Sequence, residues 1–387
     1  MTMTIPDGSA SKRRTYSLGI VPGDGIGPEV TACAVAVLDA AERLFGFSTT
    51  RESIIAGARH YLATGELFEG AVREKLQAKD AILFGAMGDP AVAPGILERG
   101  FILAMRQAFD QSVNLRPVRL YPGVKTPIAD LEPERCDLVI VRENTEGAYV
   151  GRGSTVHAGT ANAVAVQESV NTRAGVERVV DYAFRLAAGR RNKVTLCHKT
   201  NILVEAGKLW QDTFDAVAAR YPGVETDYVH VDAMCFHLPV SPERFDVVVT
   251  DNLFGDIITD LGAVIQGGLG VAASANLNLD GSAPSMFEAI HGSAPDIAGR
   301  GLANPAGAVL SLAMCLAHLG EAAAAKAVET AVVAVLGQMD GLSGADMGGS
   351  TDEVGRRIVD ALESAAGGSL PQLAGRSVMD AMAAAER

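Results

Sequence analysis

The sequence predicts an α/β protein with a largely parallel central sheet and two domains. Three observations support this. The chain has 387 residues, which favours two domains at roughly 100–200 residues per domain. Hydrophobic residues make up 48% of the chain, enough for a large core. Short β-rich runs alternate with stretches of helical apolar spacing, the pattern of parallel α/β sheets.

The predicted elements alternate along the chain. A strand over residues 16–21 closes on a Pro-Gly turn, and apolar residues at helical spacing predict a helix over 29–44. Polar residues follow several of the later strands, and functional side chains gather at the carboxyl ends of strands in such sheets. The further predicted strands are 81–84, 138–141, 194–197 and Val247–Thr250.

Two segments depart from this alternation. Residues 151–166 are rich in Gly, Ser, Thr and Ala with alternating apolar positions, which indicates an arm or hairpin. Residues 321–387 are rich in Ala and predict helices. No internal repeat of fixed period is present.

The charge and the cysteines exclude several classes of protein. The formal net charge is −13, which disfavours nucleic acid and anionic membranes as partners. A dianionic substrate would therefore need a local arginine cluster or a metal. Five cysteines without a C-x-x-C motif indicate reduced thiols and a cytoplasmic protein. Residues 1–14 lack the apolar region of a secretory signal, and no apolar run is long enough to span a membrane.

A pair of acids carries the clearest indication of a metal. Asp256 and Asp260 follow a predicted strand and lie four residues apart, on one face of a helix. Carboxylates suit Mg²⁺ or Mn²⁺, and Asp232 is a candidate third ligand. Acidic residues near a helix N-terminus also stabilise the helix by themselves, so the pair alone leaves both explanations open.

Three arginines and two proton-transfer candidates form the second group. Arg106, Arg116 and Arg142 could bind a dicarboxylate through their planar guanidinium groups, although single arginines more often form surface ion pairs. Lys199 follows a predicted strand and could act as a base, and Tyr149 could donate a proton. A solvated lysine and a half-buried tyrosine are the ordinary alternatives.

A glycine-rich segment is the candidate cofactor loop. The Gly-x-Gly-x-Gly spacing at 23–27 is not the Gly-x-Gly-x-x-Gly of a Rossmann fold, and no P-loop is present. The segment 288–299 offers close backbone approach, and Asp296 could accept both ribose hydroxyls of NAD while repelling a 2′-phosphate. An ordinary Gly/Pro loop remains the alternative. The candidate cofactor residues are Glu288, His291, Gly292, Ser293, Ala294, Asp296 and Asn304.

Taken together and in this order, these motifs resemble those of the isocitrate/isopropylmalate family of β-decarboxylating dehydrogenases. The resemblance runs from Gly-Asp-Gly-Ile-Gly-Pro-Glu at 23–29 to Gly-Gly-Ser-Thr-Asp-Glu at 348–353. Asn-Leu-Phe-Gly-Asp at 252–256 and His-Gly-Ser-Ala-Pro-Asp at 291–296 are its most specific motifs.

The resemblance implies a role for each candidate. The three arginines match the clamp for the substrate carboxylates, and Tyr149 matches the general acid. Lys199 and Asp232 match a catalytic lysine and a catalytic and metal-binding acid supplied across a dimer interface. Asp256 and Asp260 match the metal acids of the other subunit, and Asp296 matches the residue that selects NAD.

The resemblance also implies an architecture: an isopropylmalate-dehydrogenase-like, non-Rossmann fold with a mixed central sheet. The expected cofactor-binding domain is discontinuous, comprising residues 1–112 and 267–387. The expected substrate and dimerisation domain comprises 113–266, and its arm at about 151–166 clasps the partner of a homodimer with shared active sites.

The substrate is expected to be a malate with an apolar 3-substituent. Phe101, Ile102 and Leu103 precede Arg106 where family members meet that substituent. The whole chain is most similar to isopropylmalate dehydrogenases of the actinobacterial type, which convert 3-isopropylmalate to 4-methyl-2-oxopentanoate and CO₂ in leucine biosynthesis. The residues at 109–111 and 141–147 instead resemble D-malate and tartrate enzymes, and Ala289 replaces a usual proline. A specialised paralogue and a non-catalytic relative are the remaining alternatives.

Overall fold

A computed structural model describes residues 14–366 and 377–386 of the protein. The basic N-terminal segment, apart from Arg14, and part of the Ala-rich C-terminal stretch lie outside the described residues. The predicted alternation of strands and helices is confirmed. In chain order the elements are β1 Thr15–Gly23, α1 Gly27–Phe45, β2 Ser48–Ser53, α2 Ala58–Thr64, α3 Ala71–Gln77, β3 Ala81–Ala86, α4 Ala104–Ala108, β4 Val113–Arg119, β5 Asp137–Glu143, β6 Gly153–Val156, β7 Val164–Gln167, α5 Arg173–Ala188, β8 Lys193–His198, α6 Val204–Ala218, β9 Glu225–His230, α7 Val231–Val240, β10 Val247–Thr250, α8 Asn252–Ile265, β11 Ala273–Leu277, β12 Ser285–Ala289, α9 Ala306–His318, α10 Ala322–Leu336, α11 Thr351–Ala366 and α12 Val378–Ala385.

Ten of these strands form one mixed sheet in the order β2-β1-β3-β12-β11-β4-β5-β10-β8-β9. The outer strands pair in parallel on both sides, while β12, β11, β4 and β5 form three consecutive antiparallel pairs in the middle. The mixed α/β class expected from the sequence is therefore confirmed. Parallel neighbours require crossover connections, and the helices between the strands supply them.

Helices cover the sheet because their apolar faces match the buried strands. The strands β3 and β10 are buried along their whole length and read as continuous apolar or small runs, as expected for strands covered on both faces. The helix α9 is buried at every position from Ala306 to Ala317. A helix that is apolar all round belongs in the core, and α9 packs against β11, β12, α1 and α10.

The segment at 151–166 forms the hairpin that the alternation of its apolar residues predicts. The strands β6 and β7 pair antiparallel in a separate two-stranded sheet, and every residue of both strands is exposed. Within the described ranges, no helix is long and apolar enough to cross a membrane.

The sheet register brings the polar strand ends to one edge. Thr250 at the end of β10 lies opposite Arg142 of β5 on one side and Cys197 of β8 on the other. His198 of β8 lies opposite His230 of β9. Because these strands are parallel, the residues that follow them, Lys199 among these, emerge at the same edge.

Candidate active site

Three buried arginines converge near this edge of the sheet. Arg106 lies on α4, Arg116 on β4 and Arg142 on β5, and their residues are 6%, 6% and 1% exposed. Arg142 donates to the Asn252 Oδ1 atom from Nε at 3.1 Å and from Nη2 at 2.7 Å. Arg116 donates to Thr259 Oγ1 at 2.6 Å. Both partners lie on α8, so this helix orients two of the three guanidinium groups.

The three cations are close enough to disfavour one another's charge. Burial, then the charges of Arg142 and Arg106, lowers the pKa of Arg116 to about 10. Burial also lowers the pKa of Arg106, against the opposing effect of Glu288. The Nε atoms of Arg106 and Arg116 are buried without a hydrogen-bond partner. Buried donors without acceptors are costly, and an anion bound beside the cluster would offset part of that cost.

One carboxylate links this cluster to the candidate general acid. Tyr149 lies in a short helical turn after β5, and its hydroxyl donates to Asp256 Oδ2 at 2.8 Å. Arg142 donates to the other oxygen of the same carboxylate, and its guanidinium carbon lies 5.3 Å from the centre of the Tyr149 ring. Burial raises the pKa of Tyr149, and the hydrogen bond to Asp256 raises it further. Tyr149 is therefore a protonated phenol at neutral pH.

A close approach of Arg142 to α8 explains the glycine in the Asn-Leu-Phe-Gly-Asp motif. A Cβ at Gly255 would lie 2.4 Å from Cγ of Arg142, well inside van der Waals contact. The N-cap of α8 is Asp251, whose side chain accepts from the Phe254 amide at 2.7 Å. This N-cap sets where α8 starts, and hence where Asp256 and Asp260 lie.

The two acids of α8 differ in environment. Burial opposes ionisation of Asp256, yet Arg142, Tyr149 and Arg116 together hold its pKa below the usual value. Burial raises the pKa of Asp260, and the nearby charge of Asp256 adds to this effect against Arg116, whose Nη1 lies 3.7 Å from Asp260 Oδ1. Two adjacent carboxylates with an unfavourable mutual charge fit a divalent cation, and Mg²⁺ binds through one or two carboxylates in many sites.

Asp232, the third candidate metal ligand, lies apart from these two acids in the described chain. Among the residues that the structure describes, no group of three or more His, Cys, Asp or Glu is placed to hold a metal. Asp232 lies in the first turn of α7, where its Oδ1 accepts from Lys199 Nζ at 2.7 Å. The hydrogen bond from Lys199 lowers the pKa of Asp232. The structure thus brings Lys199 and Asp232 together as an ion pair of their own.

The candidate cofactor loop packs against the glycine-rich turn after β1. The Ile26 amide donates to the Ser293 carbonyl at 2.8 Å. Gly25 has φ +59°, and a Cβ there would lie 1.9 Å from the same carbonyl oxygen, so only glycine fits. Ala294 also has a left-handed backbone, with φ 40°. The loop therefore keeps a compact backbone of small residues, as close approach of a dinucleotide requires.

The side chains of this loop point in different directions. Asp296 and Gly292 are exposed, whereas Ser293 is buried and His291 is partly buried.

Glu288 is buried at the end of β12, where its Oε1 accepts from Arg106 at 3.2 Å and from Asn276 at 2.8 Å. Asn304 is buried, and its amide donates to the Leu342 carbonyl while its oxygen accepts from the Ala306 amide. The Asn304 side chain thus holds the start of α9.

The apolar residues before Arg106 do not all face the site. Residues Glu98–Leu103 form a π-helical turn in which Phe101 is buried, with its ring centre 5.8 Å from that of Phe68. Ile102 and Leu103 are only partly buried and lie four and three residues before Arg106, and Ile102 also packs against the apolar cluster that contains Phe101. The Phe101 ring thus completes the core, and Ile102 and Leu103 remain the predicted contacts of the substituent.

Comparison with known proteins identifies the family of this chain. Residues 17–362 match the family model described as isocitrate/isopropylmalate dehydrogenase. The chain belongs to this family. The protein is 55% identical to the 3-isopropylmalate dehydrogenase of Thermobifida fusca, over 82% of this chain and 90% of that one. It is 53% identical to the 3-isopropylmalate dehydrogenase of Corynebacterium glutamicum, over 90% and 99%. The crystal structure of isocitrate dehydrogenase from Methylococcus capsulatus superimposes with a TM-score of 0.81 at 35% identity, over 90% and 99%.

Three residues that the sequence did not single out hold the candidate binding residues of this dehydrogenase in place. Asn252 and Thr259 hold Arg142 and Arg116, and Asn276 holds Glu288. Asn252 stands inside the Asn-Leu-Phe-Gly-Asp motif, which was the one signal that pointed to it. Thr259 and Asn276 gave no such signal, because their partners are 143 and 12 residues away along the chain.

Proposed function

We propose that this dehydrogenase oxidises and decarboxylates 3-isopropylmalate to 4-methyl-2-oxopentanoate and CO₂, with NAD and Mg²⁺ or Mn²⁺, in leucine biosynthesis. The buried arginine cluster with its two unpartnered Nε atoms carries the proposal, because it calls for a carboxylate-bearing ligand. The relatives named 3-isopropylmalate dehydrogenase, at 55% and 53% identity, support the choice of substrate.

The surroundings of the arginines support an apolar substituent. Ile102 and Leu103 are partly buried aliphatic residues that precede Arg106 by four and three positions. Two residues of the segment that resembles D-malate and tartrate enzymes are engaged elsewhere. Gln111 is fully buried and donates to the Pro284 carbonyl at 2.9 Å, and Asp110 pairs with Arg178 at 2.6 Å. The contacts that Asp110 and Gln111 make within the fold therefore explain their presence without a role in substrate choice.

In the proposed mechanism, Arg106, Arg116 and Arg142 bind the substrate carboxylates. When bound, a divalent metal at Asp256 and Asp260, with Asp232 from a second subunit, would polarise the substrate oxygens, and NAD would accept the hydride. In its neutral form, Lys199 takes the proton of the substrate hydroxyl through water or through Asp232, with which it is paired. Tyr149 returns a proton to carbon after CO₂ leaves. The raised pKa of Tyr149 keeps that proton in place until it is needed.

The cofactor is proposed to lie along the loop from Glu288 to Asp296. Glu288, His291, Gly292, Ser293 and Ala294 would surround the nicotinamide half, supported by the compact backbone of the loop. The exposed carboxylate of Asp296 would accept from the ribose hydroxyls. Asn304 would contribute chiefly by holding the start of α9, since its side chain is already bonded at both ends.

The proposed enzyme is a homodimer. The helices α7 and α8 pack together and expose large apolar side chains on their outer faces, including Phe236, Val240, Leu253, Ile257 and Val264. An apolar surface of this kind marks a protein interface, and a second copy would bring its own Lys199–Asp232 pair to it. The exposed hairpin β6–β7 is proposed as the clasping arm.

Two domains are proposed on the same basis. The strands of residues 113–266 form one half of the sheet, β4-β5-β10-β8-β9, and the remaining strands form the other half. The boundary would run between β4 and β11, with the cofactor domain comprising 1–112 and 267–387. A cytoplasmic location is proposed because the five cysteines are unpaired thiols.

A substrate panel tests the proposal directly. The protein is assayed with 3-isopropylmalate, D-malate, tartrate, isocitrate and homoisocitrate, each with NAD and NADP, and ranked by kcat/KM. We expect 3-isopropylmalate with NAD to rank first. A higher rank for D-malate or tartrate would replace the proposed substrate by that acid. NAD binding without NADH formation from any acid would indicate a non-catalytic relative.

A further inference from the structure

The Tyr228 hydroxyl lies between the two strand ends that deliver Lys199 and Asp232. Strand β8 ends at His198, directly before Lys199, and the parallel neighbour β9 ends at His230, two residues before Asp232. The geometry of the Lys199–Asp232 pair therefore depends on how these two strand ends are held together. Tyr228 belongs to β9 but reaches across to the segment that follows β8.

The contacts of this hydroxyl lie on both sides of Lys199. The Thr200 amide donates to Tyr228 Oη at 3.1 Å, and Thr200 Oγ1 lies 2.9 Å from the same oxygen. The hydroxyl lies 3.2 Å from the His198 carbonyl oxygen, to which it can donate. One atom thus contacts the peptide groups before and after Lys199, and this fixes the direction in which the lysine side chain leaves the backbone.

The same oxygen also contacts the segment that carries Asp232. Tyr228 Oη lies 2.8 Å from Nδ1 of His230, which is the N-cap residue of α7. A phenol offers one proton and two lone pairs, so it can bridge an amide on one segment and an acceptor on the other at once. The residues after Thr200, from Asn201 to Glu205, are exposed. The Tyr228 hydroxyl therefore ties the segment that carries Lys199 to β9 just before this exposed stretch begins.

We propose that Tyr228 is a positioning residue for Lys199. Its hydroxyl holds the Lys199 backbone against the start of α7 and so keeps Nζ at hydrogen-bond distance from Asp232. The inference rests on the proposed function, in which Lys199 takes a proton from the substrate. Misplacing a catalytic group by about 1 Å costs up to roughly a hundredfold in rate, so the loss of one bridging hydroxyl has a measurable effect.

The kinetic test is Tyr228→Phe, which removes only the hydroxyl. We expect kcat to fall by roughly tenfold to a hundredfold, with the KM of the hydroxy acid and the affinity for NAD within about twofold of wild type. The deuterium isotope effect on kcat, with substrate labelled at the carbon that gives the hydride, should rise as chemistry becomes limiting. Thr200→Val should lower kcat by a smaller factor than Tyr228→Phe does. Thr200→Ser, which keeps the hydroxyl, should have the kcat of the wild-type enzyme.

The matched control is Tyr221→Phe. Tyr221 is half-buried like Tyr228, and its hydroxyl donates to Asp181 at 2.9 Å. This variant should keep kcat and the isotope effect of the wild-type enzyme. Equal losses in both variants, or a Tyr228→Phe loss explained by a smaller folded fraction, would overturn the positioning role.

A second measurement does not need turnover. The amines are acetylated at one fixed pH, and the rates at Lys199 and Lys193 are compared by mass spectrometry. Lys193 is the control because it also links β8 to β9, through an ion pair with Glu225 at 2.9 Å, and its side chain is 25% exposed against 24% for Lys199. Tyr228→Phe should speed acetylation of Lys199 severalfold and leave Lys193 unchanged; an unchanged Lys199 overturns the inference. A wild-type enzyme that makes no NADH from any hydroxy acid would refute the proposed function, while the labelling would still decide the role of Tyr228.

Discussion

The Tyr149 hydroxyl donates a hydrogen bond to Asp256 Oδ2 at 2.8 Å, and Arg142 donates to the other oxygen of that carboxylate. One acid therefore orients both the proposed proton donor and one of the arginines proposed to bind the substrate. This explains why Asp256 keeps a lowered pKa despite its partial burial. It also couples the position of Tyr149 to the cation that we propose at α8.

Replacing Tyr149 by Phe should separate oxidation from the later steps. We expect CO₂ release and carbon protonation to slow by about a hundredfold, the range for loss of a general acid, while hydride transfer is less affected. The check is the ratio of NADH to the final 2-oxo acid in a single turnover, which should rise well above one. Tyr16→Phe, whose hydroxyl bonds Glu321 instead, is the control. Equal slowing of both products would argue against Tyr149 as the acid.

Replacing Arg116 by Gln should weaken dicarboxylate binding. The hydrogen bonds to a charged ligand are worth about 1.5–3 kcal/mol, so we expect the Kd of malonate to rise by about tenfold to a hundredfold. The readout is the increase in Tm that malonate gives to the wild-type protein, which the variant should largely lose. Arg135→Gln is the control, because Arg135 makes a surface ion pair with Glu243. Full retention of the malonate effect would remove Arg116 from the clamp.

Replacing Asp296 and Ile297 by Lys and Tyr should move the cofactor preference toward NADP. The exposed carboxylate of Asp296 would repel a 2′-phosphate, whereas a lysine would attract it. The measurement is the ratio of kcat/KM for NAD to that for NADP. Asp212→Lys makes the same charge change on the exposed face of α6 and should leave the ratio unchanged. An unaltered preference in the double variant would exclude Asp296 as the selecting residue.

Mixing two inactive variants tests whether the active sites are shared. Lys199→Met and Asp256→Asn subunits should each be inactive as homodimers. A heterodimer would contain one intact site, so a random mixture is expected to regain about one quarter of the wild-type activity. The mixture is prepared by co-refolding, and recovery is measured as NADH formation. No recovery, with heterodimers demonstrated by mass, would place Lys199 and Asp256 in the site of a single chain.

The buried imidazole of His198 predicts a loss of stability in acid. His198 is fully buried between Trp210 and Phe254 without hydrogen bonds to its ring, and burial lowers its pKa to about 4. The unfolded chain takes up this proton near pH 6.5, so stability falls as the pH drops from about 6.5 to 4. The shift corresponds to roughly 3 kcal/mol.

The check is urea unfolding of wild type and His198→Gln at several pH values. The free energy of unfolding should fall more steeply with acid in the wild type. Asp251, whose Oδ2 lies 3.7 Å from His198 Nε2, acts in the opposite sense because burial raises its pKa to about 6. Comparison of the two proteins removes most of that contribution. Parallel curves would show that His198 does not titrate as its burial implies.

Much of the fold followed from local patterns. The strand over 247–250 and the helix that begins close to residue 29 were predicted almost to their ends, because apolar period and turn residues are properties of neighbouring positions. The mixed sheet was predicted only from the family resemblance. Local patterns could not predict it, because the pairing of β11 with β4 joins segments about 160 residues apart. The burial of Phe101 depends on its contacts with Phe68 and Phe84, 33 and 17 residues earlier in the chain, which local patterns do not reveal.

The sequence by itself determined which chemical groups the protein carries and in what order: the three arginines, the acids, Tyr149, Lys199 and the loop with Asp296. Only the tertiary structure decided which of them meet. It placed Tyr149 on Asp256, paired Lys199 with Asp232 and set Tyr228 between the two strand ends. The physical reason is that residue type is local, whereas distance, burial and therefore pKa depend on packing between segments far apart in the chain.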